Sequence, residues 1–117
     1  MADLQVHVGD TTQDFAGRFA DAWHRAERGG AVNERHLSFD RFETLARVLT
    51  AKRLELLRHL HRQPAASVNA LAKALGRDYR RVHEDVEALA GAGLVDREDG
   101  GTGLTAPYDV IATRIAL

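Results

Sequence analysis

The feature that most constrains this chain is the run "ALAKALGRDYRRVHEDVEALAGAGLV", residues 70–95. Gly76 separates two apolar-periodic segments, and Asp78 stands at the head of the second. Glycine adopts the left-handed backbone that ends a helix, and an aspartate oxygen accepts from the free N–H groups that begin one. The run therefore reads as two short helices around a tight turn, followed by a strand-like segment. On the second helix Tyr79, Val82, Val86 and Leu89 are spaced by three, four and three residues. They share one side, which is assigned to the core. The opposite face carries Arg80, Arg81, Glu84 and Glu87, with Arg77 just ahead of the cap. Three arginines at one helix end suit either a reading head for nucleic acid or a solvated charged face.

Charge bears on that choice. From Arg41 to Asp85 there are ten basic and five acidic residues, a net of +5; the remainder has six basic and twelve acidic, a net of −6, and the sum is the formal −1. A local basic excess counts for more than the pI where a polyanionic partner is concerned. At 117 residues, 44% hydrophobic and 28% charged, the chain suits one globular domain with a modest core. The absence of cysteine excludes disulfides, thiolate metal sites and a cysteine nucleophile. The start, "MADLQVHVGD", lacks a basic region followed by an apolar run, and no apolar run approaches the roughly 18 residues of a membrane span. A soluble, cytoplasmic protein is expected.

Elsewhere along the chain, "QVHV" (residues 5–8) alternates like a short strand. Thr11 or Thr12 then caps a helix running to about Arg28, striped by Phe15, Phe19, Ala22, Trp23 and Ala26 and stopped by Gly29 and Gly30. "ERHLSF" (34–39) suggests a second strand. A helix over 41–49 follows, with Asp40 and Glu43 as a capping box or Ser38 as the competing cap, and with Phe42, Leu45, Val48 and Leu49 facing inward. Thr50 caps "AKRLELLRHLHRQ", Ser67 caps "VNALAKALG", and Asp78 caps the helix that runs to about Ala90. Leu94 to Glu98 reads as a strand, "DGGTG" as a turn, and "LTAPYDVIATRIAL" as a returning strand whose pairing starts at Tyr108, because Pro107 has no N–H to donate. Apolar residues occupy most of both alternation phases from Asp109 to Leu117, so this strand is expected to be covered on both faces, with a partner subunit as a candidate cover.

The expected fold is α+β: a winged helix-turn-helix with an N-terminal strand–helix–strand extension. Residues 1–39 form the extension, read as a dimerisation or partner-binding region. Residues 40–117 form the DNA-binding domain, including the C-terminal strand. A recognition helix meets base edges with the residues of its amino-terminal end. Arginine suits that place, since its guanidinium donates two hydrogen bonds to guanine or clamps a phosphate. The predicted DNA-binding residues are Arg77, Tyr79, Arg80, Arg81 and Glu84, with Ser67, Asn69 and Lys73 on phosphates from the preceding helix. Two roles are open to Glu84, accepting from a cytosine amino group or pairing with Arg80 or Arg81. Tyr79, at the edge of the core face, is assigned to packing, with a hydroxyl–phosphate contact as its other role. Arg97 is the only basic residue of the hairpin turn, among Asp96, Glu98 and Asp99, so the wing departs from the basic wings common in DNA binders.

The run "LTAKRLELLRHLHRQPAASVNALAKALGRDYRRVHEDVEALAGAGLV", with the later "PYDVIATRI", resembles a family of small predicted transcriptional regulators of archaea and bacteria related to the MarR-like winged-helix proteins. The resemblance extends from "SFDRFETLARVLT" to "PYDVI", and "LGRDYRRVHEDVEAL" is its most specific element. It implies a winged-helix DNA-binding fold and a homodimer, with Arg77, Tyr79, Arg80, Arg81 and His83 on the recognition segment. Some members resemble the antitoxin half of toxin–antitoxin pairs, which implies a cognate toxin or other protein partner.

Other chemistry is poorly served. His59 and His61 diverge by about 200° on a regular helix and cannot chelate together. His24 and Glu27 share a face but lack a third ligand. His83 flanks the core face and is read as a structural histidine. "DGGTG" does not open a helix, so it lacks the geometry of a phosphate-binding loop, and there is no G-x-S-x-G or H-E-x-x-H. No metal, cofactor or enzymatic activity is expected. The dimer or partner surface is assigned to Phe15, Phe19 and Trp23 with Tyr108, Val110 and Ile111 of the C-terminal strand. The expected function is that of a transcriptional regulator, a dimeric repressor binding double-stranded DNA sequence-specifically through the major groove. The alternative is an antitoxin-like interaction module that neutralises a partner protein, with DNA binding secondary.

Overall fold

The computed structural model describes residues 3–9 and 34–117 of the chain. Within them the order is β1 (Asp3–Val8), β2 (Glu34–Phe39), α1 (Phe42–Val48), α2 (Ala51–Arg62), α3 (Val68–Leu75), α4 (Tyr79–Gly91), β3 (Asp96–Glu98), β4 (Gly103–Thr105) and β5 (Val110–Ile115). The protein is α+β. It divides into two compact units, one of Met1–Leu45 with Tyr108–Leu117 and one of Ala46–Pro107. The helix expected to follow β1, with Phe15, Phe19, Trp23, His24 and Glu27, lies outside the described residues.

The first unit holds a three-stranded sheet, ordered β2-β1-β5 and parallel throughout. Parallel strands need long crossovers, and the chain separations supply them. Leu4, Val6 and Val8 alternate along the central strand and are buried. The register sets Gln5 beside His36 and His7 beside Ser38. His7 and His36 are therefore diagonal neighbours on one face. Their rings stack at 5.1 Å, with His7 Nε2 2.8 Å from His36 Nδ1.

The C-terminal strand corrects one expectation. It does not continue the hairpin; after β4 the chain breaks at Pro107 and leaves to pair with β1, from Asp3↔Val110 to Val8↔Ile115. Residues 110–115 therefore belong with the amino-terminal strands and not with the helices. Among the described residues this strand is an edge of the sheet, with Val110 47% and Ile115 49% exposed in the single chain. Phe42, expected to face inward, is likewise half exposed, whereas Leu45 of the same helix is buried.

The second unit is built from α2, α3, α4 and the β3–β4 hairpin. Leu56, Leu57 and Leu60 of α2, Leu71 and Ala72 of α3, and Val82, Val86 and Leu89 of α4 are buried. Leu94, Val95, Leu104 and Ala106 add the apolar base of the hairpin. The hairpin is short, three antiparallel pairs from Asp96↔Thr105 to Glu98↔Gly103. The strand expected from Leu94 begins two residues later: the Leu94 N–H still donates to Leu89 O at 2.8 Å and closes α4, and pairing starts at Asp96↔Thr105. A bridge between Ala65 and Leu104 fastens β4 to the α2–α3 connection, with N···O distances of 3.1 and 2.8 Å. His61 Nδ1, 2.9 Å from Ala106 O, adds a second tie there.

Candidate functional site

Local chemistry builds the turn between α3 and α4. Ser67 Oγ accepts from the N–H of Ala70 at 3.1 Å and starts α3. Gly76 ends it with φ 64 and ψ 34. The Gly76 N–H donates to Lys73 O and the Arg77 N–H to Ala72 O, at 3.2 and 3.0 Å. These are the paired bonds of a Schellman end, which satisfy carbonyls that the helix leaves open. Asp78 Oδ2 then accepts from the Arg81 N–H at 3.3 Å and opens α4.

Burial orients α4. Val82, Val86 and Leu89 are fully buried, while Arg80, Arg81, Glu84 and His83 are exposed. Among the described residues, neither Arg80 nor Arg81 has an ion-pair partner. Tyr79 corrects the core assignment, since it is 51% exposed. Its position in the first turn of α4 lies ahead of the buried stripe, and its ring rests 5.8 Å from that of His83. His83 lies on the exposed side of α4, with its Nε2 3.7 Å from Glu87 Oε1.

Arg77 is not a free outward arginine. Its Nη2 donates to Asp85 Oδ2 at 2.8 Å, and Arg53 Nε donates to Asp85 Oδ1 at 3.0 Å. All three side chains are at most 20% exposed. Arg53 Nη1 also donates to the carbonyls of Arg47 and Val48 at 2.9 and 3.1 Å. One carboxylate thus joins the start of α2, the turn and the middle of α4. Neither Arg53 nor Asp85 was singled out from the sequence, yet Asp85 carried a signal. At 100° per residue it sits about 60° from Val82 and about 40° from Leu89. A carboxylate that close to a core stripe needs cationic partners.

The remaining predicted residues divide. Asn69 and Lys73 are exposed on α3. The Ser67 hydroxyl is engaged as a cap. Arg97 is folded back, its Nη2 donating to Glu87 Oε1 at 2.6 Å. Tyr108, assigned to a partner surface, is 5% exposed in the chain itself, so its side chain is already covered without a partner. Ile111 is half-buried, which leaves Val110 as the more exposed of the two predicted β5 residues. No group of three or more potential ligands among the described residues is placed to hold a metal, and no described helix is long and apolar enough to cross a membrane.

The model of the HVO_A0114 family matches residues 48–113, more than half of the chain. The chain belongs to the HVO_A0114 family. The HVO_A0114 match begins at the last residue of α1, takes in α2, α3, α4 and the hairpin, and ends inside β5. It therefore includes Arg53, Arg77 and Asp85 together with Arg80 and Arg81. No curated protein and no solved structure matches the chain.

Proposed function

We propose that the second unit of this HVO_A0114 protein is a MarR-like winged helix-turn-helix that binds double-stranded DNA, with α4 as the helix entering the major groove. The observation that carries the reading is the division of labour on α4. One face is buried by Val82, Val86 and Leu89, and the other presents Arg80 and Arg81 in its first turn without ion-pair partners among the described residues. Arg77 and Arg53, the arginines nearby, are already bound to Asp85. The net +5 between Arg41 and Asp85 favours a polyanion. The hairpin follows α4 as a wing, but its one arginine is held by Glu87, so base reading falls to α4. The protein acts as a dimeric repressor whose two α4 helices read half-sites about one helical turn apart.

The test is fluorescence anisotropy of the purified protein on duplexes that it selects from random fragments and on DNA upstream of its own gene. Binding should weaken steeply with salt. Unchanged binding after Arg80→Ala with Arg81→Ala would overturn the reading. A second reading, an antitoxin-like module, draws on the half-exposed Val110 and Ile115 of the β5 edge. Absence of DNA binding at low salt, with co-purification of a neighbouring gene's product, would select it.

A further inference from the structure

We propose that the cleft lined by Lys52, Arg77, Asp78 and Arg81 seats one backbone phosphate of duplex DNA, held by Lys52 and Arg81. This rests on the DNA-binding reading above and adds to it a residue that the reading did not contain, Lys52. It also moves Arg81 from base edge to backbone.

The cleft is open, about 600 Å³, and those four residues line it. Three carry positive charge and one negative, a lining charge of +2. The four differ in how much of that charge is available. Arg77 already has its charge engaged by Asp85, at 2.8 Å. Asp78 has one carboxylate oxygen occupied by the backbone N–H of Arg81 as the cap of α4. Lys52 has only a 3.8 Å approach to Glu55, with both side chains more than 60% exposed. Such a pair contributes little and gives way to a better anion. Arg81 is exposed and has no ion-pair partner among the described residues.

Behind the cleft, Arg53 and Arg77 share a single carboxylate, so that cluster has a net charge of +1 and repels no anion. Lys52 lies in the first turn of α2 and Arg81 in the first turn of α4. The positive ends of both helices therefore border the same opening. A phosphodiester fits this setting better than a carboxylate side chain. It presents oxygens in several directions, as two cations converging from separate helices require, and it recurs along a duplex beside any helix seated in the groove.

The adjacent residue sets the division of roles. Arg80 and Arg81 are consecutive, so their Cα–Cβ vectors differ by about 100° around α4. Arg81 lines the cleft and Arg80 does not. Arg80 is then the arginine left for a base edge, and Arg81 with Lys52 sets the depth and register of α4 against the strand.

The experiment compares the intact protein with Lys52→Ala, Arg81→Ala, the double variant and Arg80→Ala, each titrated across a salt series. The probes are a duplex selected by the protein, a random duplex and a single-stranded RNA. Lys52→Ala and Arg81→Ala should weaken selected and random duplexes by the same factor. The double variant should reduce the slope of log K against log salt by about 1, the signature of one lost phosphate contact. Arg80→Ala should instead cost more on the selected duplex than on the random one. Thermal melts identify any variant that fails to fold, and Lys52→Gln provides a second, shape-conserving probe of the lysine charge. A wild-type protein that binds duplex while the double variant keeps its full salt slope overturns the phosphate site alone. Losses confined to the selected duplex overturn it too, as does tighter binding to single-stranded RNA than to either duplex. A wild-type protein that binds no duplex at low salt overturns the DNA-binding reading and this site with it.

Discussion

Arg77 Nη2 lies 2.8 Å from Asp85 Oδ2, and that bond ties the turn in front of α4 to the second turn of the same helix. Because Arg53 takes the other oxygen of Asp85, the carboxylate also holds α2. The orientation of α4 within its unit is thus set by charge as well as by its apolar stripe.

Asp85→Ala leaves two mostly buried guanidinium groups without their anion. It should lower unfolding stability by roughly 3 kcal/mol, the lower end of the range for breaking a buried pair, since the group is partly exposed. Arg80→Ala, on the exposed face, should change stability by less than about 0.5 kcal/mol. Urea denaturation of the two variants checks this, and equal midpoints would remove the structural role given to Asp85.

Gly76 has φ +64, and nothing lies within 4 Å of where its Cβ would stand. The effect of Gly76→Ala is therefore conformational and not steric crowding. A loss of about 1 kcal/mol is expected, with a smaller loss for Gly76→Asn, because asparagine tolerates the left-handed region. The order of the two melting temperatures decides the matter.

The Arg97–Glu87 pair is short, 2.6 Å, but both side chains face water, 32% and 56% exposed. Arg97→Ala should cost less than about 1 kcal/mol at low ionic strength and less still in salt. A loss that persists undiminished at high salt would show that the arginine stem, and not its charge, holds the hairpin.

Val110 and Ile115 belong to an edge strand whose outer side is open among the described residues. In the proposed dimer this edge is covered by a second copy, as exposed strand edges favour. Val110→Lys with Ile115→Lys should then convert a dimer to a monomer in light scattering without changing the circular dichroism spectrum. A dimer that survives both substitutions would place the interface elsewhere.

The helices of the second unit were legible because their signals are local. Thr50, Ser67 and Asp78 accept from the N–H groups three residues on, and Gly76 takes the left-handed turn that its lack of a side chain permits. The spacing of Val82, Val86 and Leu89 identified the buried face from periodicity alone. "ERHLSF" and "QVHV" were readable as strands, and Pro107 marked a break. A cap, a helical repeat and a missing N–H each act within a few residues, so the sequence by itself determined them. The partners of those elements were decided only by the tertiary structure. That β5 pairs with β1, that Asp85 binds both Arg53 and Arg77, and that His7 stacks on His36 each depend on strand register or helix packing. Residues 29 or more positions apart are brought within 3 Å in two of these contacts, and no local pattern encodes that distance. A charged side chain chooses its partner by proximity in the folded chain. For that reason Arg77 resembled its neighbours Arg80 and Arg81 in sequence and differs from them in the fold.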